Sequence, residues 1–257
     1  MKKLTLLLLI MASFTSTTNT AHSVNPFFAD YETPFQIPPF EEIKMEHYKP
    51  GFEQGMKEHL DEINNITANT EAATFENTFV ALERTGKTLD KVSDVFFNLL
   101  SSNTNDQMDS LVQEMSPKLS AHSDSILLNK DLFHRVKSVY EKRKSLNLNP
   151  EQTRLIEETH KYFVRAGVQL DENSMERLTA INQELSSLSV QFDQNLLKET
   201  NEGFILVIDD KNQLHGLPKD VVDQASALAE SEDHSGKWLF KPTRASMYPF
   251  LTYSTER

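Results

Sequence analysis

Residues 171 to about 201 constrain this chain more than any other stretch. Leu178, Ile181, Leu185, Leu188 and Phe192 recur at alternating spacings of 3 and 4, the heptad seam that one helix presents to another. A helix over this range is roughly 45 Å long. The segment before it carries Leu155, Thr159, Tyr162 and Ala166 at matching spacings. Asn149 is placed to cap that segment, with Pro150 at its first helical position and Gly167 at its end. Asp171 starts the longer helix after a short link from Gly167 to Leu170. These features predict an antiparallel helical hairpin, with the long seam facing Leu155, Tyr162 and their neighbours. A homo-oligomeric coiled coil is the rival reading, but a partner a few residues upstream is nearer than a second chain.

The rest of the chain repeats the helical theme. Only seven glycines occur in 257 residues, and apolar residues make up 38%, enough for a core. Phe52, Met56, Leu60, Ile63 and Ile66 give one face over 49–67. Thr74 is placed as an N-cap, with Glu76 favourable in the first turn. Phe75, Phe79 and Leu82 follow it, Gly86 fits a left-handed break, and Leu89, Val92, Phe96, Phe97 and Leu100 form the next stripe. Residues 105–127 read as helical, with Pro117 either kinking the helix or opening a new one after Ser116. Residues 131–146 form a basic amphipathic helix through Leu132, Val136, Val139 and Tyr140. After Asn201 the character changes. The run 204–208, FILVI, is short and rich in β-branched residues, residues 218–230 read as a small helix, and Trp238-Leu239-Phe240 reads as a second strand able to pair with the first. The expected fold class is all-α, built of helical hairpins with one long heptad-patterned helix, plus a small two-stranded element near the C-terminus.

The first 23 residues have the form of a signal peptide. Met1, Lys2 and Lys3 are a positive start, Leu4 to Phe14 is an apolar run too short to anchor in a bilayer, and Ala21-His22-Ser23 is an A-x-S cleavage pattern, with cleavage after Ala21 as the alternative. No Cys follows for a lipid anchor. The expected location is the periplasm or the exterior. Residues 24–47 mix prolines with Phe27, Phe28, Tyr31, Phe35 and Phe40; the prolines prevent regular helix, and the aromatics predict an extended arm lying across the folded body. Residues 48–257 form the helical region.

Charge and motif content exclude several chemistries. There are 26 Lys and Arg against 38 Asp and Glu, a net charge of −12, which argues against a nucleic-acid partner. The chain has no cysteine, so it has no disulfide, thiol nucleophile or thiolate metal ligand. Asp209-Asp210-Lys211-Asn212 lacks the spacing of a calcium loop, and no Gly-rich phosphate loop or G-x-S-x-G elbow occurs. Lys142, Arg143 and Lys144 read as a helix C-terminus complementing its dipole. A zinc peptidase needs two His four apart on one helix, with a Glu beside the first. None of His22, His47, His59, His122, His134, His160, His215 and His234 has that partner. His59 with Glu62 and Glu157 with His160 come nearest; both read as solvated i,i+3 pairs. No residue of this chain is assigned a catalytic, cofactor or metal-binding role.

Several strings, in order, carry a resemblance: PPFEEIKMEHYKPGFEQGM, TFENT, ALERTGK, VFFNLLSSNTND, PKLSAHSDSILLN, RLIEETHKYFVRAGVQL, RLTAINQELSSLSVQFDQNLLKETN and KWLFKPTRASMYPFLTYS. From about Pro38 onward they resemble the N-terminal region of the thimet-oligopeptidase-like zinc metallopeptidases, in particular the bacterial peptidyl-dipeptidases. The resemblance implies an almost all-helical protein with two halves across a deep cleft. It implies short unstructured peptides as substrates, release of C-terminal dipeptides, and a zinc ion held by an H-E-x-x-H helix in the second half. The expectation is therefore that this chain supplies a wall of the cleft without the zinc site, as a partial sequence or a truncated product. A non-catalytic helical module that binds peptides or a separately encoded catalytic half is the alternative. No zinc is expected on this chain alone.

Overall fold

The computed structural model describes residues 25 to 256; the expected export segment lies outside the described residues. The chain is mostly helical, with a two-stranded antiparallel sheet near the C-terminus. Helix α1 (Met45–Thr67) and α2 (Lys87–Ser102) pack side by side, joined through a π-type turn at Phe75–Val80. Next come α3 (Asp106–Leu127), α4 (Lys130–Lys142), α5 (Pro150–Ala166) and α6 (Glu172–Lys198). Strand β1 (Leu206–Ile208), α7 (Lys219–Ser231), β2 (Trp238–Phe240) and α8 (Arg244–Tyr253) complete the described chain.

Local chemistry sets most of the boundaries. Thr74 and Asn77 form a reciprocal cap: the Asn77 N–H donates to Thr74 Oγ1 and the Thr74 N–H to Asn77 Oδ1, satisfying two otherwise orphaned donors. Asn149 and Gln152 do the same at α5, and Asp171 accepts from the Ser174 N–H at α6. Gly86, at φ 80°, makes the left-handed break before α2. Helix α1 begins at Met45, inside the stretch expected to be extended, because the His47 ring accepts the Lys44 N–H at 3.1 Å and caps the first turn. Pro117 neither opens a new helix nor ends one; α3 runs through it. Pro removes a single backbone bond, and Met115, fully buried two residues earlier, holds the segment against its neighbours.

Among the described residues the core has three parts. Phe27, Tyr48, Phe52, Val92, Phe96 and Met115 join the arm, α1, α2 and α3. A Cβ on Gly55 would lie 2.8 Å from the Leu89 backbone, so this glycine lets α1 and α2 approach closely. Ile63, Phe79, Val136, Ile156 and Phe163 form a second cluster between α1, the π-type turn, α4 and α5. Ile208, Leu214, Ala225 and Phe240 form the third, where α7 and α8 cover the sheet. In the sheet, Leu206 pairs with Phe240 and Ile208 with Trp238.

Two packing expectations are corrected. The α5–α6 seam does not close. Helix α6 packs instead along α3, through polar contacts: Asn182 donates to both oxygens of Asp124 at 2.9 and 3.1 Å, and Gln194 donates to the Asp109 carbonyl at 3.0 Å. Leu185 is 55% exposed and Phe192 66%, while Tyr162 on α5 also faces outward. Heptad spacing marks a face able to receive a helix; it does not say which helix, and the polar side of α6 found its partner first. In the arm, Phe27 is buried against Tyr48, and Lys91 donates to the Ala29 carbonyl. Tyr31 lies under Lys91 Nζ at 5.1 Å, whereas Phe28 and Phe40 are about half exposed and Phe35 is 96% exposed.

Candidate functional site

The most distinctive polar chemistry inside the helical body is a pair of histidines. His59 comes from the middle of α1 and His122 from the last turns of α3, and their side chains meet with Nδ1 of His59 3.1 Å from Nε2 of His122. His59 Nε2 lies 3.1 Å from Thr85 Oγ1. The Thr85 hydroxyl donates its one hydrogen to the Leu82 carbonyl at 2.7 Å. It must therefore accept from His59, so His59 carries its proton on Nε2. Nδ1 of His59 is then bare, and His122 must donate to it from its own Nε2. His122 Nδ1 is left as an acceptor, buried and without a hydrogen-bond partner among the described residues.

The rings line a cavity of about 450 Å³ between α1, α2, α3 and α5, together with Leu82, Thr85, Leu119, Ile126, Tyr162 and Phe163. Burial disfavours the charged imidazole. His122, 8% exposed, is held down to about 4 by burial first and by the neighbouring His59 second. His59 is also lowered by burial, with Glu62 and Asp90 pulling the other way. Burial raises Asp90 in turn, with Asp94 adding to the rise and His59 opposing it. Both imidazoles are thus neutral at neutral pH. Thr85 and His59 do not form a nucleophile–base pair, since the histidine donates to the hydroxyl and the hydroxyl hydrogen points away from the ring.

In neither couple singled out in the sequence do the two side chains pair with each other, although the Glu157 side chain remains 40% exposed. Glu62 accepts the Gly86 N–H at 2.7 Å, while His59 turns to Thr85 and His122. Glu157 binds Arg143 at 3.1 Å, and His160 stacks on Tyr140 with centroids 3.8 Å apart. Arg143 also lies over the Tyr140 ring, a more specific role than complementing a helix dipole. A second cavity, about 510 Å³, lies between α3 and α6 beside the Asp124–Asn182 contact. Zinc does not fit the residues present: the sequence lacks two His four apart, and among the described residues no three His, Cys, Asp or Glu side chains gather at one point. His59 and His122 stand 63 positions apart, so no spacing rule finds them.

No protein-family model matches the chain. Curated relatives do. Dipeptidyl carboxypeptidase of Escherichia coli (strain K12) is 34% identical over 235 residues, covering 91% of this chain and 34% of the relative. The dipeptidyl carboxypeptidase of Salmonella typhimurium is 36% identical with the same coverage. Oligopeptidase A of Escherichia coli is 24% identical over 221 residues, covering 86% of this chain and 32% of the relative. The chain spans about one third of the length of the curated relatives it matches.

Proposed function

We infer, from the premise that this chain corresponds to an N-terminal portion of peptidases of the thimet oligopeptidase family, that it serves as the non-catalytic helical wall of a zinc peptidyl-dipeptidase. In this reading the substrates are short unstructured peptides, the product is a C-terminal dipeptide, and the zinc and its ligands belong to a catalytic half outside these 257 residues. The observation that carries it is the 34–36% identity to dipeptidyl carboxypeptidases across nine-tenths of the chain. The exposed row of Leu185, Leu188, Phe192 and Leu196 on α6 supports it, because an apolar face of that length is suited to cover by another part of a larger protein.

A chimera tests the proposal. The matched portion of the Escherichia coli dipeptidyl carboxypeptidase is replaced by residues 25–257 of this chain, and dipeptide release from a short N-blocked peptide is assayed with and without a chelator. Chelator-sensitive release by the chimera is expected, with none from residues 25–257 alone. A folded but inactive chimera would support a separate peptide- or protein-binding module instead. Stoichiometric zinc and turnover by the isolated chain would place the chemistry here and overturn the reading.

The same proposal includes export to the periplasm or beyond. It rests on the charged start, the apolar run of 4–14 and the A-x-S pattern ending at Ser23; among the described residues no helix is long and apolar enough to cross a membrane. N-terminal sequencing of protein recovered from an expressing bacterium is expected to begin near Val24 or His22. A cytoplasmic product still starting at Met1 contradicts it.

A further inference from the structure

We propose that His59, His122 and Thr85 form an acid-sensitive latch, which fastens α1, α3 and the turn before α2 while both rings are neutral and releases that turn when the pair takes up a proton. The inference is independent of the function proposed above.

The hydrogen-bond directions carry it. Each link in the relay from His122 to His59 to Thr85 uses a ring proton on Nε2, and each receiving atom is already committed. A proton arriving at His59 must go on Nδ1, where it points at the N–H of His122. His122 would then have to move its own proton to Nδ1, a buried atom with no acceptor among the described residues. A proton arriving at His122 goes to that same buried atom. Neither ring can become a cation without breaking a contact or burying an unpartnered donor, and both outcomes are costly.

The nearby carboxylates offset burial only in part, since desolvation outweighs the pull of Glu62 and Asp90 on His59. Glu62 on α1 is engaged by the Gly86 N–H, and Asp90 on α2 is itself partly protected from ionising by burial. The turn contributes Glu83 and Thr85, α3 contributes Ser123, and α5 contributes Thr159 and Tyr162; among the described residues no lysine or arginine lines the cavity. The latch holds a defined piece of backbone. Thr85 and Gly86 are tied to His59 and Glu62 of α1, and Gly86 starts α2 at a left-handed φ, so losing the His59 contact loosens the entry to that helix and leaves it held to α1 through the Glu62–Gly86 bond.

The direction of the pH effect follows from linkage. A histidine held below its ordinary value binds more protons in the opened state than in the closed one. The closed state is therefore fully favoured above about pH 6.5 and loses ground as pH falls toward 4, the value to which His122 is held. With the opened ring titrating near 6.5, the turn should open roughly 50- to 100-fold more often at pH 4.5 than at pH 7.5.

Ring titration by NMR on the whole chain, with amide exchange read in parallel, is the test. In the native protein His122 is expected to titrate about two units or more below the ordinary histidine value of about 6.5. Exchange at residues 85–89, corrected for the intrinsic effect of pH, is expected to rise steeply below pH 6. In His122→Phe the His59 Nδ1 no longer receives a hydrogen bond, so His59 is expected to titrate higher than in the native chain. A purely packing role for His122 predicts no such move. His59→Gln, which keeps a donor for Thr85 without a titrating ring at that position, is expected to reduce the acid-induced exchange to the part that His122 alone contributes. Native rings that titrate above pH 6, an unmoved His59 in His122→Phe, or acid exchange unchanged in His59→Gln would each overturn the latch.

Discussion

Phe96→Ala is expected to lower the stability of the chain by about 3 to 5 kcal/mol. The ring is completely buried and meets Tyr48, Phe52 and Phe97 with centroids 5.2 to 5.3 Å apart, each in an edge-on arrangement. Such pairs add about 0.5 to 1.5 kcal/mol beyond the area they bury. The hole left by alanine has little means to close, because α1 and α2 are already in backbone contact where Gly55 meets Leu89. Leu185→Ala is the control. The heptad pattern assigns Leu185 to a buried seam, yet it is 55% exposed, and its loss is expected to stay within about 0.5 kcal/mol. Urea unfolding of both variants in residues 25–257 decides the matter. Equal losses at the two sites, or a large loss at Leu185 alone, would mean that the core lies where the periodicity puts it.

The contrast between these two residues shows which part of the fold was legible. Caps were readable because their chemistry is complete within a few residues: Thr74 needs only Asn77, Asn149 only Gln152, and Asp171 only Ser174. Gly86 and Gly167 announced left-handed breaks for the same local reason. Strand β2 fell at Trp238–Phe240 and β1 inside the 204–208 run, since a short β-branched or aromatic run between turn residues has few other uses. Partner choice was not legible. Helix α6 meets α3 through Asn182 with Asp124 and through Gln194 with the Asp109 carbonyl, and apolar periodicity is blind to such contacts. The histidine pair was hidden for a related reason. His59 stood beside Glu62 in the sequence, and a local rule pairs them, but Glu62 was taken by the Gly86 N–H and His59 by a ring 63 positions away.

Arg135→Ala is expected to cost about 2 to 4 kcal/mol, by leaving several acceptors of one loop unsatisfied. Arg135 lies on α4 and is 8% exposed, with no carboxylate within ion-pair distance among the described residues. Backbone and amide oxygens stand in for a counter-ion. Its Nη1 donates to the Asn69 carbonyl at 2.7 Å and to the Glu71 carbonyl at 3.2 Å, and its Nη2 donates to Asn77 Oδ1 at 2.9 Å. Asn77 Oδ1 also accepts the Thr74 N–H, and its amide reaches back to the Ala72 carbonyl. One guanidinium therefore fastens the whole connection from α1 to the π-type turn, including the cap that starts the turn. Its planar fork is what lets it serve three oxygens at once; the single ammonium of Arg135→Lys is expected to recover less than half of the loss. Chemical denaturation gives the magnitude, and amide exchange gives the location. Protection is expected to fall first at residues 69–78, ahead of α4 itself. An Arg135→Ala protein as stable as the native one, or a loss of protection spread evenly over the chain, would show that the loop is held by its own turns and that the buried charge is incidental to it.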